Sequence, residues 1–340
     1  MRVTELRELL EKYSKDDLSK MMIELYKAIP KKVRDEKEID GMLQDFQQYK
    51  EAEKIKKEKE KHVDLNDLER EITQFIQNAY KQNYIAPNRY VSKKERPKWR
   101  FKVKSYIKQL QQVPVEGDEG KRATDLLDAL YEMLCYGCGY YIFNTDNPFR
   151  SIGMEQVELF DILLKRKFSM GINKETISSA LKQIINYHLD MDTLRSSLFN
   201  VFIANLRTVD AKEIAIEQCH HFLMGLKQRT ITPEETWVWK DDEYSRERNI
   251  NELIETVFKL KMELCEYESA IRYFKSNIQE ESKEDALFSL LNKLKTYNQK
   301  DYWLREYEEA IKKGIRPREE LQFTYQYLKE NGEFNIDEDM

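Results

Sequence analysis

The sequence predicts an all-α protein with an N-terminal helical region followed by stacked helix hairpins. Glycine and proline number only 10 and 7 in 340 residues, whereas 35% of the residues are charged and 41% are hydrophobic. This balance is typical of many amphipathic helices with wide solvated faces. Apolar residues also recur at helical spacing along most of the chain. We expect the hairpins to form either an α-solenoid-like stack or an irregular helical array.

The N-terminal helical region is predicted to cover residues 1–113. Residues 1–30 indicate a helical hairpin, in which Ser14 stands as an N-cap with Asp17 three residues later. A second helical pattern begins at Ile39 and becomes rich in lysine and glutamate towards residue 61, which is typical of an exposed helix. Asp64 predicts the N-cap of the next helix, which has a dense apolar face.

The basic segment, Arg89 to Lys108, contradicts the acidic character of the rest of the chain. It contains nine basic residues and one acidic residue, a net charge of +8, whereas the whole chain carries −5. Such a segment attracts an anionic partner or pairs with an acidic surface of the same molecule. The candidate binding residues are Arg89, Lys93, Lys94, Arg96, Lys98, Arg100, Phe101, Lys102 and Lys104.

Two periodicities compete within the basic segment. Basic and apolar residues alternate from Lys98 to Lys104, as they do in a strand. Over a longer window one helical face collects the apolar residues Trp99, Val103, Tyr106, Ile107 and Leu110. Pro97 also suits the first position of a helix, where its missing N–H costs nothing. We therefore predict an amphipathic helix over residues 97–112, with Phe101 off the apolar face and exposed.

A loop with Pro114, Gly117 and Gly120 predicts a domain boundary at residues 113–120. A helical array is predicted over residues 121–331, with an acidic tail at residues 332–340. Asn173, Asp210 and Ser282 predict helix N-caps in the array. The predicted helices cover residues 121–138, 154–169, 174–189, 192–207, 211–227, 247–264, 267–279, 283–297, 300–313 and 317–330.

The C-terminal helices repeat with an offset of 34 residues. At this offset Tyr273 matches Tyr307, Asp285 matches Glu319, Leu287 matches Leu321 and Leu294 matches Leu328. The register resembles that of tetratricopeptide repeats over about the last 65 residues. The resemblance implies an α-solenoid whose concave surface binds a peptide or another helix, with Tyr273 and Tyr307 as interface candidates. The alternative is an irregular helical bundle with coincidental spacing.

Trp237 and Trp239 are two further interface candidates, next to an acidic cluster. Tryptophan is enriched at binding hot spots, which favours an aromatic anchor. The alternative is a pair of rings that closes the edge of a helical core.

The closest pair of thiols is Cys135 and Cys138, in a Cys-x-x-Cys arrangement. A structural zinc site needs two more ligands, and the candidates are Cys219 and His220. Packing as small buried hydrophobic groups is the simpler interpretation of these thiols. We expect no metal and no cofactor.

A cluster of His188, Asp190 and Asp192 lies at a predicted helix junction. Metal-dependent hydrolases use such residues, but they need more ligands. We interpret Asp190 or Asp192 as an N-cap.

These patterns predict a non-enzymatic scaffold or adaptor that binds another protein or peptide on the helical array. The alternative is nucleic-acid binding, with the basic segment on phosphates and Phe101 or Tyr90 stacked on a base. A zinc-containing or metal-dependent enzyme is a third possibility, although no phosphate loop, nucleophile elbow or dinucleotide fingerprint occurs. Few cysteines and the absence of a signal peptide predict a cytoplasmic protein with no membrane partner. The oligomeric state stays open.

Overall fold

The structure is a computed structural model that describes residues 5, 9–36, 39–50, 64–228 and 243–335. The described residues form sixteen α-helices and no β-strand, which confirms the all-α class. Every helix among these residues is too short or too polar to cross a bilayer. The chain divides into two compact units, Met1–Asp64 and Leu65–Met340.

The first unit contains α1 (Lys15–Ala28), α2 (Lys31–Glu36) and α3 (Ile39–Gln44). The predicted N-cap of α1 is confirmed, because Ser14 Oγ accepts a hydrogen bond of 3.2 Å from the Asp17 N–H. No residue of α1 is buried within this unit. Its apolar side chains therefore cover little of one another, and α1 derives little stability from a core of its own.

The second unit contains the other thirteen helices of the described residues. In chain order they are α4 (Leu65–Tyr80), α5 (Trp99–Gln112), α6 (Gly117–Gly139), α7 (Pro148–Ile152), α8 (Gln156–Ser169), α9 (Lys174–Asn186), α10 (Arg195–Asn205), α11 (Val209–Gln228), α12 (Glu243–Glu263), α13 (Tyr267–Asn277), α14 (Lys283–Thr296), α15 (Lys300–Lys312) and α16 (Glu319–Asn331). The ten helices predicted beyond residue 120 are all present, and the prediction missed only the short helix α7.

The long helix α6 organises the first part of this unit. It packs against α4, α5, α7 and α8, and its buried face includes Leu127, Leu130, Tyr131 and Leu134. Further along the chain each helix from α11 to α16 packs against the next. This arrangement agrees with the predicted succession of helix hairpins.

The loop at residues 113–120 lies inside the second unit, although the sequence predicts a domain boundary there. The helices on either side of it, α5 and α6, pack against each other. The buried Arg166 donates hydrogen bonds to the Val113 carbonyl, at 3.0 Å, and to Thr124 Oγ1, at 3.1 Å. A Cβ on Gly120 would lie 2.0 Å from the Val115 carbonyl oxygen, so the loop closes against the helix only with glycine there. Gly120 thus serves a close approach, whereas Gly117 adopts a φ of +76°, a conformation that favours glycine.

The helix caps follow the predictions in part. Asn173 and Ser282 cap α9 and α14, and Asn173 forms a capping box with Thr176. The prediction of Asp210 as a cap is wrong, because α11 begins one residue earlier and Thr208 Oγ1 accepts the hydrogen bond from the Ala211 N–H, at 3.2 Å. The carboxylate of Asp210 lies in the first turn, where it suits the positive end of the helix dipole.

The prediction that Asp190 or Asp192 caps a helix is also wrong. Helix α10 begins at Arg195, and its N-cap position is Leu194. Asp190 is buried, and its carboxylate accepts a hydrogen bond of 3.0 Å from the Asp192 N–H. The two residues therefore shape the turn between α9 and α10.

Candidate functional site

The basic segment begins as a loop, passes through a short 3-10 helix at Arg96–Lys98 and continues as α5. The apolar face of α5 is buried as predicted, on Trp99, Val103, Tyr106, Ile107 and Leu110. The Trp99 ring stacks on the buried Phe143 ring with 3.9 Å between centroids. This face holds the helix on the core, so its opposite face turns to solvent.

Asparagine side chains hold the loop before α5 in one conformation. Asn88 Oδ1 accepts hydrogen bonds from the backbone N–H groups of Tyr90, at 2.9 Å, and Val91, at 2.7 Å. Asn88 Nδ2 donates to the Asn83 carbonyl at 2.6 Å. Val91 is buried, and its carbonyl accepts from Arg96 Nε at 3.2 Å. These hydrogen bonds and the burial of Val91 hold the backbone of the loop in place.

Most basic side chains of the segment are exposed and carry no ion pair. Arg96 is half-buried, and Glu95 pairs with Lys98 at 2.7 Å and with Lys102 at 4.0 Å. The hydrogen bond from Lys98 holds the pKa of Glu95 below its ordinary value. Six exposed basic side chains have no carboxylate partner among the described residues; they are Arg89, Lys93, Lys94, Arg100, Lys104 and Lys108.

Phe101 is exposed to 63%, as the helical pattern predicts. The Arg100 guanidinium lies over its ring, 4.9 Å from the centroid. Tyr90 is exposed to 78%, and its ring touches no other ring of the described residues. Two aromatic side chains are therefore available at the surface among the basic ones.

A groove of about 820 Å³ opens between α4 and α5 beside the basic segment. Both helices pack on α6, and the loop that carries Tyr90 also lines the space between them. Its lining includes Gln74 from α4 and Lys102, Ser105 and Gln109 from α5. This groove could not be predicted from the sequence, because the polar side chains of α4 line it only once α5 lies opposite them.

The four candidate zinc ligands do not come together. No group of three or more His, Cys, Asp or Glu side chains within the described ranges has the geometry of a metal site. Cys135 is buried beside Gln156, whereas Cys219 is buried in α11 next to the half-buried His220. Burial raises the pKa of the Cys138 thiol to about 12, and burial likewise raises the pKa of Cys135 and of Cys219. Cys135 and Cys219 therefore lie inside the helical core as protonated thiols, and Cys138 is a partly buried one.

The side chain of Gln156 forms hydrogen bonds both to Cys135 and to the backbone near His188. Its side chain is fully buried and donates to the His188 carbonyl at 3.0 Å and to Cys135 Sγ at 3.2 Å. Its oxygen accepts from the Asp190 N–H at 2.8 Å. One amide thus ties the 188–190 turn to α6, which gives the cluster a structural role.

The tyrosine interface candidates belong mainly to the core. Tyr307 is exposed to only 6%, and its ring is stacked between those of Trp303 and Tyr325 at 5.4 and 4.5 Å. Tyr273 is half-buried against His220, with 5.0 Å between ring centroids. Neither side chain offers a broad surface to a partner, because each ring lies against neighbouring rings. Trp237 and Trp239 lie outside the described residues.

The beginning of the predicted acidic tail packs against α15. The Phe334 ring lies 6.2 Å from the Trp303 ring, and the Glu333 carboxylate lies 3.9 Å from the Lys300 ammonium. These contacts hold the start of the tail against α15.

Comparison of the chain with protein-family models, with curated proteins and with solved structures found no match.

Proposed function

We propose that this protein binds nucleic acid without catalysing a reaction, and that the basic segment is its contact surface for phosphates. The observation that carries this proposal is the set of six exposed basic side chains with no carboxylate partner among the described residues. An internal acidic surface would have paired with them. Their field therefore acts on a partner outside the described part of the chain.

The distribution of charge favours a polyanion over a single acidic side chain. The six cations extend from the loop at Arg89 to the last turns of α5 at Lys108, so one small anion contacts only a few of them. A nucleic-acid strand carries regularly spaced phosphates and contacts many. The exposed rings of Tyr90 and Phe101 add surfaces on which bases stack.

The test is fluorescence anisotropy with labelled single-stranded and duplex DNA at several salt concentrations. If all six cations contact phosphates, log K should fall with log salt with a slope of about −4 to −5. Affinity for the single strand should then drop on the order of 300-fold when the salt concentration rises fourfold. A triple variant, Arg100→Glu, Lys104→Glu and Lys108→Glu, should remove about half of this slope.

A matched variant separates local charge from total charge. Lys121→Glu, Lys182→Glu and Lys312→Glu change the net charge equally at three exposed positions on other helices. This control should retain the affinity and slope of the parent chain. The proposal fails if the parent chain does not bind either probe at low salt, or if the two triple variants lose affinity equally.

A scaffold that binds another protein on the helical array is the second candidate. It is favoured by a pocket of about 190 Å³ between α13, α14 and α15, whose lining combines apolar side chains such as Phe274, Ile278 and Leu287 with charged ones. Filling this pocket with Ala286→Trp should abolish capture of a protein partner at moderate salt and leave DNA binding unchanged. Capture that survives the substitution would contradict this candidate.

A further inference from the structure

The groove between α4 and α5 has an aromatic floor. The rings of Phe75 and Tyr84 lie 4.9 Å apart, and those of Phe75 and Tyr106 lie 5.7 Å apart. All three side chains are buried, yet each contributes to the lining of the groove. The ring planes are inclined to each other by 43° and 74°, so the floor is an uneven aromatic surface that offers ring edges and faces to a planar ring system.

Hydrogen-bonding side chains form the walls above this floor. Gln74 lies on the α4 side, and Ser105 and Gln109 lie on the α5 side. Amide and hydroxyl groups of this kind read the edges of unpaired bases. Glu71 and Glu95 also line the groove together with Arg70 and Lys102, so the lining carries no net charge and suits a neutral base better than a phosphate.

Tyr90 lies at the mouth of the groove on the loop that Asn88 holds in place. Its backbone N–H is bonded to Asn88 Oδ1, while its ring is 78% exposed. A fixed backbone with a free ring costs little ordering entropy when a base stacks on it. The six cations without a carboxylate partner in the described part of the chain lie on the same segment and do not line the groove, so they are available to the phosphates on either side of that base.

We propose that this groove receives an unpaired base of a single-stranded nucleic acid, with Tyr90 stacked on that base or its neighbour. The inference rests on the proposed function and adds the class of ligand. A duplex keeps its bases paired and stacked, so it presents no free base to the groove. The single strand is therefore the preferred ligand.

The experiment compares three labelled DNA probes of about 12 nucleotides on the full chain: a mixed-sequence single strand, its duplex and an abasic strand of equal length. The abasic strand keeps the phosphates and lacks the bases. We expect the single strand to bind about tenfold more tightly than the abasic strand, and more tightly than the duplex. An RNA strand that binds still more tightly, with the same dependence on Tyr90, would support the proposal and identify RNA as the preferred ligand.

Substitutions at Tyr90 and in the groove then test where the base binds. Tyr90→Ala and the groove-filling Ser105→Trp should each weaken binding of the mixed strand about tenfold and leave binding of the abasic strand unchanged. Tyr90→Phe should retain full affinity, because stacking does not need the hydroxyl. Tyr141→Ala is the matched control, since Tyr141 is 65% exposed and does not line the groove.

The outcomes distinguish this inference from the proposed function. Equal binding of the mixed and abasic strands, or tighter binding of the duplex, would overturn the base site and leave phosphate binding intact. Full affinity of Tyr90→Ala and Ser105→Trp for the mixed strand would overturn it as well. Absence of binding to every probe would overturn both proposals.

Discussion

Trp99 and Phe101 provide a sharp test of whether the basic segment packs on the core as a helix. A helix separates their side chains, whereas a strand would direct both to the same side. In the structure Trp99 is exposed to 6% and stacks on Phe143, while Phe101 is exposed to 63%. The two alanine substitutions should therefore have very different costs, although the positions are only two residues apart.

The expected magnitude follows from burial. Truncation of a buried tryptophan removes its contacts and leaves a cavity, so Trp99→Ala should lower the free energy of unfolding of the second unit by about 3–5 kcal/mol. Phe101→Ala removes little buried surface and should change it by less than about 0.5 kcal/mol. Loss of the Arg100 contact with the Phe101 ring adds only a small part of the cost of Trp99→Ala, because the Arg100–Phe101 pair lies at the surface.

Urea unfolding followed by circular dichroism measures both values. With an m-value of about 3 kcal/mol/M, the Trp99→Ala midpoint should fall by about 1 M or more, and the Phe101→Ala midpoint should stay within experimental error. If Trp99→Ala does not fold, Trp99→Leu gives a milder comparison. Equal losses of unfolding free energy at the two positions would show that the segment does not pack on the core as a helix. They would also refute the exposed basic face.

Three further predictions test other parts of the structure. Gln156→Leu should destabilise the protein by about 2–4 kcal/mol, because two backbone groups of the 188–190 turn lose their buried partner, whereas the exposed control Gln111→Leu should be neutral in the same urea assay. A cost for Gln156→Leu below about 0.5 kcal/mol would contradict the role of this amide. Only Cys265 is an exposed thiol, so a disulfide reagent at about pH 8 should modify one thiol of the native chain quickly and all four in urea. Fast modification of the buried Cys135 or Cys219 in the native chain would contradict this assignment. Burial raises the pKa of Tyr106 to about 12, so as the pH rises the phenol loses its proton in the unfolded chain before it does in the folded chain. The contribution of Tyr106 to stability should therefore be complete below about pH 10 and decline as the pH rises towards 12. Thermal unfolding at a series of alkaline pH values should show a smaller decline for Tyr106→Phe, and an identical decline in both proteins would contradict this assignment.

The helices could be predicted from the sequence because the interactions that form them are local. Apolar spacing located the ten helices beyond residue 120, and cap residues such as Ser14, Asn173 and Ser282 marked where helices begin. The same periodicity separated buried Trp99 from exposed Phe101. Hydrogen bonds four residues apart and side chains on one helical face depend on near neighbours, which the sequence displays directly.

The tertiary structure alone decided which faces meet. Arg166 and the packing of α5 against α6 bind the glycine-containing loop into the second compact unit, which begins at Leu65. Tyr307 looked like an exposed interface residue in the repeat pattern, but two neighbouring rings enclose it. The groove beside the basic segment exists only because α4 and α5, which are separated by an 18-residue connection, both pack on α6. Burial and convergence depend on contacts between distant helices, so periodicity within one helix does not encode them.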